Sequence, residues 1–233
     1  MDALASEGDA AVRVWLERVD TPLEPDDIAI LDTEERARAD RFRFERDYRR
    51  FVARRAFLRR VLAGYTGVAP AALRYRRSAN GKPELQDVDG LAFSTSHAAG
   101  LAAVAVATHA NVGIDVERLR PMPDALDIAR RFFTGSEVDH LRAVPAARRS
   151  DAFLRLWTRK EAYVKALGRG LSMPLDGFEA LAPEARVVGE IMGSETGPGL
   201  LLTGLELPDG FLGHVAADAD ALVRQAAPLA MAS

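Results

Sequence analysis

Two acidic residues on one short segment are the clearest candidates for chemistry in this sequence. Within Val112–Glu117 apolar and acidic residues alternate, so a strand would place Asp115 and Glu117 on one face. Their Cα atoms would lie about 7 Å apart, and like charges at that spacing favour a bound cation. Mg²⁺ and Mn²⁺ prefer such oxygen ligands, which makes this segment a candidate metal site. A solvated strand edge ending in a charged turn would show the same pattern.

A second candidate pair lies on a predicted helix around Trp157–Lys165. Glu161 borders the apolar stripe of this helix, and Lys165 follows one turn later on the same face. A carboxylate beside a core suits a third metal ligand or a general base with a raised pKa. The lysine suits a phosphate group. The alternative is an ordinary surface ion pair, which would contribute only a few tenths of a kcal/mol to helix stability.

Three further segments offer contacts to a phosphate. The turn Gly81-Lys82 presents a backbone N–H and an ammonium, and Ser96-His97 follows a short strand predicted to end at Phe93. Between Arg36 and Arg60 there are eleven arginines against three acidic residues. Arg50 and Arg54 are four positions apart and share a helical face, so one or two arginines of this helix are candidates to bind a nucleotide phosphate.

The elements that would position these residues follow from hydrophobic periodicity. Spacing predicts helices over residues 34–64 and from Pro123 to Leu167, the second interrupted at 134–137 and resuming at Ser150. Alternation predicts strands at 12–16, 91–93, 101–107, 112–116, 186–191, 200–207 and 211–216. The sequence Asn80–Pro83 predicts a loop.

Each part of the chain thus reads as a strand, a helix and then further strands, which predicts an α+β fold. We expect two similar α/β halves, residues 1–111 and 112–218, related by a pseudo-twofold axis with a substrate cleft between them. Residues 219–233 are rich in alanine and are predicted to form a flexible tail.

Composition excludes several classes of function. The chain has 233 residues, a net charge of −3 and no cysteine, so disulfides, thiolate metal sites and thiol nucleophiles are ruled out. The four histidines lack zinc-ligand spacing. The first eleven residues lack the apolar core of a secretory signal, and the longest small-apolar run is about half of the ~20 residues that a membrane span needs. We expect a soluble, cytoplasmic protein that binds neither nucleic acid nor membrane.

Taken together, these residues resemble the Sfp-type 4′-phosphopantetheinyl transferase family. The family's G-K-P turn, S-H pair, G-[IV]-D-[IVL]-E strand and W-x-x-K-E-[AS]-x-x-K helix stand here, in the same order, as Gly81–Pro83, Ser96-His97, Gly113–Glu117 and Trp157–Lys165. Arg130–Phe133 with Glu137 is similar to its R-F-F segment and the acid after it, and Gly168–Leu171 to its G-x-G-L continuation. The similarity runs from about Val12 to Ala216.

The resemblance implies an enzyme that moves phosphopantetheine from coenzyme A to a serine of an apo acyl or peptidyl carrier protein, releasing 3′,5′-ADP. Such carriers belong to polyketide or nonribosomal peptide synthases of secondary metabolism, and the enzyme is expected to be a monomer. It implies that Mg²⁺, or Mn²⁺ in its place, is bound by Asp115, Glu117 and Glu161, and that Glu161 and Lys165 are catalytic. The implied coenzyme A contacts are Arg50, Gly81, Lys82, Pro83, Ser96, His97, Asp115, Glu161 and Lys165, with Arg50 on the 3′-phosphate.

Two departures from the family pattern concern the N-terminal half. Many members carry Asn where this chain has Ser94, and lysines that some members place ahead of the Arg50 helix are missing. Three other functions stay open at this point: a carrier-binding module without turnover, a metal-dependent phosphohydrolase of a nucleotide diphosphate, and a nucleic-acid binder using the arginine-rich helix. The near-neutral net charge weakens the last of these.

Overall fold

The computed structural model describes residues 11–170, 173–182, 186–187 and 200–225. The helices of this part are α1 (Thr33–Ala39), α2 (Glu45–Thr66), α3 (Ala125–Phe132), α4 (Gly135–Ala143) and α5 (Ala146–Leu167). The strands are β1 (Ala11–Arg18), β2 (Tyr75–Arg77), β3 (Pro83–Leu85), β4 (Leu91–Ala98), β5 (Leu101–Thr108), β6 (Val112–Arg118), β7 (Arg186–Val187), β8 (Leu200–Gly204), β9 (Phe211–Asp218) and β10 (Leu222–Gln225). The predicted α+β content is confirmed.

Two four-stranded sheets and one small hairpin make up the β structure of the described residues. The first sheet has the order β10-β1-β5-β4 and the second the order β6-β9-β8-β7, while β2 pairs with β3 alone. In the first sheet, β1, which precedes α2, pairs antiparallel with β5, the second strand of the β4–β5 hairpin. In the second sheet, β6, which precedes α5, pairs antiparallel with β9, the second strand of the β8–β9 hairpin. The helices α2 and α5 have 22 residues each. The two parts therefore share a strand order.

The core is divided into layers by the alternation of side chains along β5. Ala102, Val104 and Val106 pack with the apolar face of α2, while Ala103, Ala105 and Ala107 pack with strands of both sheets. Helix α5 covers the other side of the second sheet. The small residues of β5 thus allow the two sheets to approach closely, with one long helix on each outer side.

Strand β6 has the two faces that its sequence predicts. Val112, Ile114 and Val116 are buried in the core between the sheets, and the opposite face lies against α5. A Cβ atom on Gly113 would collide with the backbone of Ala162 and Ala166 in α5. Only glycine permits this close approach of helix to strand, and the approach brings the polar residues of α5 next to Asp115.

The predicted helix over 34–64 is two helices. Asp32 and Glu35 form a capping box at the start of α1, and α2 begins after Phe44, whose backbone is extended. The intervening residues contain neither proline nor glycine, so composition gave no sign of the break. The later interruption was correctly predicted at Thr134, which caps α4 through a second capping box, but α4 itself (Gly135–Ala143) lies in the segment before Ser150 where no helix was predicted. Helix α5 begins four residues before the predicted position.

Two predictions are wrong, one about the end of a strand and one about the C-terminal segment. Strand β4 does not end at Phe93 but continues to Ala98, so Ser96 and His97 lie within it and not after it. The segment 219–233, predicted as a flexible tail, contains β10, which pairs in parallel with β1. The chain therefore returns from the second sheet to the first. Of the strand predicted at 186–191, residues 188–191 lie outside the described residues, as do residues 226–233 and Leu171.

Candidate functional site

A cleft of about 410 Å³ opens between α2, the edge of β4, β6 and α5. Its lining includes five of the predicted site residues, Ser96, His97, Asp115, Glu117 and Lys165. Arg38, Arg54 and Arg55 line the opposite side. The cleft therefore has an acidic end at β6 and a basic wall on α1 and α2, an arrangement suited to a ligand that carries phosphate groups and binds next to a cation.

The outer edge of β6 is satisfied by side chains rather than by another strand. Alternate residues of an edge strand direct their N–H and C=O groups away from the paired neighbour. Here Ser94 Oγ accepts from Ile114 N–H (3.1 Å) and Ser96 Oγ accepts from Val116 N–H (3.2 Å). Two lysine ammonium groups donate hydrogen bonds to the carbonyls of this edge, Lys82 Nζ to Val112 O (3.0 Å) and Lys165 Nζ to Ile114 O (3.1 Å). This edge joins β4 to β6 and fixes the acidic residues relative to the cleft.

Asp115 is buried, with 6% of its surface exposed, at the centre of this arrangement. Its Oδ1 atom accepts from Lys165 Nζ at 2.7 Å and from Ser96 Oγ at 2.9 Å. Its Oδ2 atom is also buried and has no hydrogen-bond partner within the described part of the chain. Burial raises the pKa of Asp115 although Lys165 and Ser96 oppose the shift. A buried carboxylate oxygen without a partner is costly and is a position where a cation would bind favourably.

Two more carboxylates lie near Asp115. Burial, followed by the charge of Asp115, raises the pKa of Glu161, and Glu117 adds to this shift. Glu161 does not line the cleft. Glu117 accepts a hydrogen bond from Arg120 at 2.7 Å. In the described ranges, no three His, Cys, Asp or Glu side chains are gathered as a ready metal-binding group. The oxygen donors still fit Mg²⁺, which takes one or two protein carboxylates and completes its shell with water and phosphate.

The predicted Gly81–Pro83 turn borders a second, smaller cavity of about 220 Å³, which also contains Gly168 and Gly170. Lys165 lines both cavities and so lies at their junction. Lys82 Nζ donates to Ala166 O at the end of α5 as well as to Val112 O. Burial lowers the pKa of Lys82 to about 8. In this structure Lys82 therefore links the β2–β3 hairpin to β6 and α5 by donating to backbone carbonyls of both.

The basic wall differs from the prediction in one residue. Arg50 is not part of the lining, and its buried Nε atom has no partner among the described residues. Arg54, one turn later, takes the position in the cleft, where its Nε donates to Arg50 O. Burial, with Arg38, Arg55 and Arg50 nearby, lowers the pKa of Arg54 to about 10. The four-residue spacing predicts both arginines as candidates, and of the two only Arg54 lines the cleft.

Acidic residues at the start of α1 hold the basic wall in place. Arg59 is fully buried and donates to Asp32 and to Glu35, at 2.5 and 2.6 Å. Arg55 also pairs with Glu35. These pairs fix α1 against α2. Because of them, the arginine-rich segment from Arg36 to Arg60 is not simply a solvated basic surface.

His97 faces this wall from β4. Burial, together with the charges of Arg54 and Lys165, lowers the pKa of His97 below its ordinary value. The imidazole is therefore neutral near pH 7. Because an anion bound beside His97 would offset the neighbouring positive charges, the group suits a phosphate ligand.

Comparison with protein families identifies the chain. Residues 111–199 match the model of the 4′-phosphopantetheinyl transferase superfamily, and residues 26–109 match the model described as 4′-phosphopantetheinyl transferase, N-terminal. The 4′-phosphopantetheinyl transferase HetI of Nostoc sp. is 42% identical over 174 residues, which are 73% of this chain and 73% of that protein. The chain belongs to the 4′-phosphopantetheinyl transferase family. The predicted family and enzyme class are confirmed.

Other relatives of this transferase are more distant. The 4′-phosphopantetheinyl transferase Sfp of Bacillus subtilis is 30% identical over 164 residues, covering 69% of this chain and 72% of that protein. The human L-aminoadipate-semialdehyde dehydrogenase-phosphopantetheinyl transferase is 29% identical over 173 residues, covering 69% of this chain and 56% of that protein. Within the described residues of the transferase, no helix has the length and apolar character needed to span a membrane.

Several motif residues of the transferase are structural. Lys160, inside the Trp157–Lys165 motif, and Glu137, after the R-F-F segment, form a fully buried ion pair at 2.8 Å. The rings of Phe133 and Trp157 pack with Phe153 above this pair. Both motifs therefore meet in one core, and none of these residues lines the cleft. Spacing along the sequence does not separate such residues from Glu161 and Lys165.

Proposed function

We propose that this chain transfers the 4′-phosphopantetheine moiety of coenzyme A to a serine of an apo acyl or peptidyl carrier protein, in a Mg²⁺-dependent reaction that releases 3′,5′-ADP. The observation that carries the proposal is the Asp115 carboxylate, which is buried beside Glu161 and Lys165 with one oxygen lacking a protein partner. It lies at the acidic end of a cleft whose other wall is basic.

Coenzyme A carries phosphate at two places, a diphosphate and a 3′-phosphate, and the cleft has two corresponding regions. The wall of Arg38 and Arg54, with His97 opposite, suits the phosphate that takes no part in the reaction. The acidic end suits the reacting diphosphate. Mg²⁺ bound by Asp115, Glu117 and Glu161 would neutralise charge on that diphosphate.

The residues around the acidic end account for the remaining chemistry. An oxygen–phosphorus bond forms to the carrier serine, and the bond between that phosphorus and the leaving 3′,5′-ADP breaks. Glu161 takes the serine proton as the general base. Lys165 offsets the charge that develops on the leaving group.

We also propose that the halves 1–111 and 112–218 are related by a pseudo-twofold axis and that the protein acts as a cytoplasmic monomer. Support comes from the shared strand order, β1-β5-β4 and β6-β9-β8, and from the equal lengths of α2 and α5. The carriers served would belong to polyketide or nonribosomal peptide synthases. Sedimentation analysis of the purified chain tests the oligomeric state.

The test of the function is transfer itself. The purified protein is incubated with coenzyme A, MgCl₂ and an apo carrier protein, with and without EDTA, and the carrier is weighed by intact-protein mass spectrometry. A mass gain of one phosphopantetheine, abolished by EDTA and absent from a carrier whose acceptor serine is alanine, is expected. If 3′,5′-ADP is released without any carrier, the protein is a hydrolase. If coenzyme A binds and nothing is released or transferred, it is a binding module.

A further inference from the structure

Two serines on β4 make almost the same contacts with β6. Ser94 and Ser96 lie two residues apart on the face of β4 that points toward the second sheet, and both are buried. Each hydroxyl oxygen accepts a hydrogen bond from a backbone N–H of β6, at 3.1 and 3.2 Å. The two serines are therefore equivalent as hydrogen-bond acceptors for the edge of β6.

They differ in what their hydroxyl hydrogens contact. Ser96 Oγ donates to Asp115 Oδ1 at 2.9 Å. For Ser94, the described residues provide only the acceptor contact with Ile114. A serine hydroxyl has one donor and two acceptor positions. The bond from Val116 N–H therefore holds Ser96 Oγ in place while its single donor is directed at Asp115.

The position of Ser96 has a consequence for the other carboxylate oxygen. Ser96 and Lys165 both bind Oδ1 of Asp115, so the carboxylate cannot rotate without losing two hydrogen bonds. Oδ2 is then the oxygen left buried without a partner in the described chain. Ser96 itself has only 8% of its surface exposed, which leaves little of it for direct contact with a ligand.

We infer that Ser96 is a positioning residue, which orients the Asp115 carboxylate so that Oδ2 faces the bound divalent cation. This inference rests on the proposed function, because it requires a cation at Asp115. It assigns Ser96 a role different from the coenzyme A contact that the sequence predicts. Since Ser96 belongs to the first sheet and Asp115 to the second, it also makes the metal site depend on the docking of the two sheets.

The matched variants Ser96→Ala and Ser94→Ala test the inference. Mn²⁺ binding to the full-length protein is measured by electron paramagnetic resonance in the absence of coenzyme A, and unfolding is followed by circular dichroism. Each variant loses one acceptor for a β6 N–H, so both should lower thermal stability, and Ser96→Ala also loses the hydrogen bond to Asp115. Removal of a residue that orients a metal ligand typically weakens metal binding about 10–100-fold. That loss is expected for Ser96→Ala, whereas Ser94→Ala should stay within about twofold of wild type.

Steady-state kinetics give a second readout. The Mg²⁺ concentration for half-maximal rate should rise in Ser96→Ala, while KM for coenzyme A at saturating Mg²⁺ stays within about twofold, because Ser96 acts on Asp115 and not on the substrate. Ser96→Thr retains the hydroxyl and should restore Mn²⁺ affinity. If Ser96→Ala does not fold, Ser96→Cys replaces it, since a thiol is a weak donor of similar shape.

The outcomes separate this inference from the proposed function. Equal Mn²⁺ affinities in Ser96→Ala and Ser94→Ala, or a raised KM for coenzyme A in Ser96→Ala alone, would overturn the positioning role and leave the transfer reaction intact. Wild-type protein that binds no Mn²⁺ and transfers nothing would overturn both.

Discussion

Helix α5 carries two lysines that each pair with a carboxylate, and the two pairs differ in almost every physical respect. Lys160 and Glu137 are fully buried, and Lys160 gives its remaining donors to the carbonyls of Leu175 and Phe178, both at 2.6 Å. Lys165 has 30% of its side chain exposed, and its partner Asp115 keeps one oxygen without a hydrogen bond from the described residues. The first pair is closed and complete. The second is open toward a cleft.

This difference indicates where stability and function reside on one helix. A closed pair can only hold elements together, and here it holds α4 and the segment around Phe178 against α5. An open pair leaves a charged group at the cleft and one buried carboxylate oxygen without a partner among the described residues, at a cost in stability. The two lysines are five positions apart on α5, which places one pair in the core and the other at the cleft. Variants of each pair should therefore affect different measurements.

The largest effect on transfer activity is expected for Glu161→Gln, next to the open Lys165–Asp115 pair. Loss of a general base typically lowers kcat about 10²–10⁴-fold. Because burial and neighbouring acids raise the pKa of Glu161, its charge opposes folding, and the neutral glutamine should leave the midpoint of thermal unfolding near pH 7 unchanged or higher. Phosphopantetheine transfer and thermal unfolding are measured together. Asp151→Asn, which alters an exposed acid of the same helix, is the control. Turnover like that of wild type would remove Glu161 from the mechanism.

The same substitution at both lysines separates the two pairs directly. Lys160→Met leaves the Glu137 carboxylate buried without its counter-ion, and breaking such a pair typically costs about 3–5 kcal/mol. Lys165→Met should lower the free energy of unfolding by about 1 kcal/mol or less, as for a partly exposed pair, while strongly slowing transfer. Urea unfolding measures the first quantity and the mass-spectrometric assay the second. Comparable stability losses in the two variants would mean that both pairs are structural.

His214, which lies opposite Asp115 in the β6–β9 pairing, provides a pH-dependent test of stability. It is buried, bonds Thr158 Oγ1 of α5 at 2.8 Å, and burial lowers its pKa from 6.5 to about 3. The unfolded chain therefore binds a proton at mildly acid pH that the folded chain excludes, so stability is lost as pH falls from 6.5 toward about 3. Between about pH 7 and about pH 5 this residue should account for a loss of about 2 kcal/mol. Urea titrations of wild type and His214→Gln check the difference, and equal pH slopes would contradict it.

Much of this arrangement could be predicted from spacing along single elements. Alternation in β6 gave the correct faces for Ile114 and Asp115, and the spacing in α5 put Glu161 and Lys165 on one side. What failed depended on contacts between distant segments. The strand before Ser96 was predicted to end at Phe93, yet β4 continues to Ala98 and the hydroxyls of Ser94 and Ser96 satisfy the edge of β6. Likewise, only packing distinguishes Arg54 in the cleft from Arg50 beside it.

The smallest predicted effect concerns Glu117, the second acidic residue of β6. Arg120 pairs with Glu117 at 2.7 Å, with 47% and 24% of their side chains exposed, so it neutralises a carboxylate that a cation would otherwise bind. If Arg120 competes with the metal, Arg120→Gln should tighten Mn²⁺ binding, by about 1.4–5-fold for an exposed ion pair. Arg142, which pairs with Asp139 on α4 at the same three-residue spacing, is the matched control. Electron paramagnetic resonance titration measures both variants. Weaker binding in Arg120→Gln, or an equal change in Arg142→Gln, would contradict competition between Arg120 and the metal for Glu117.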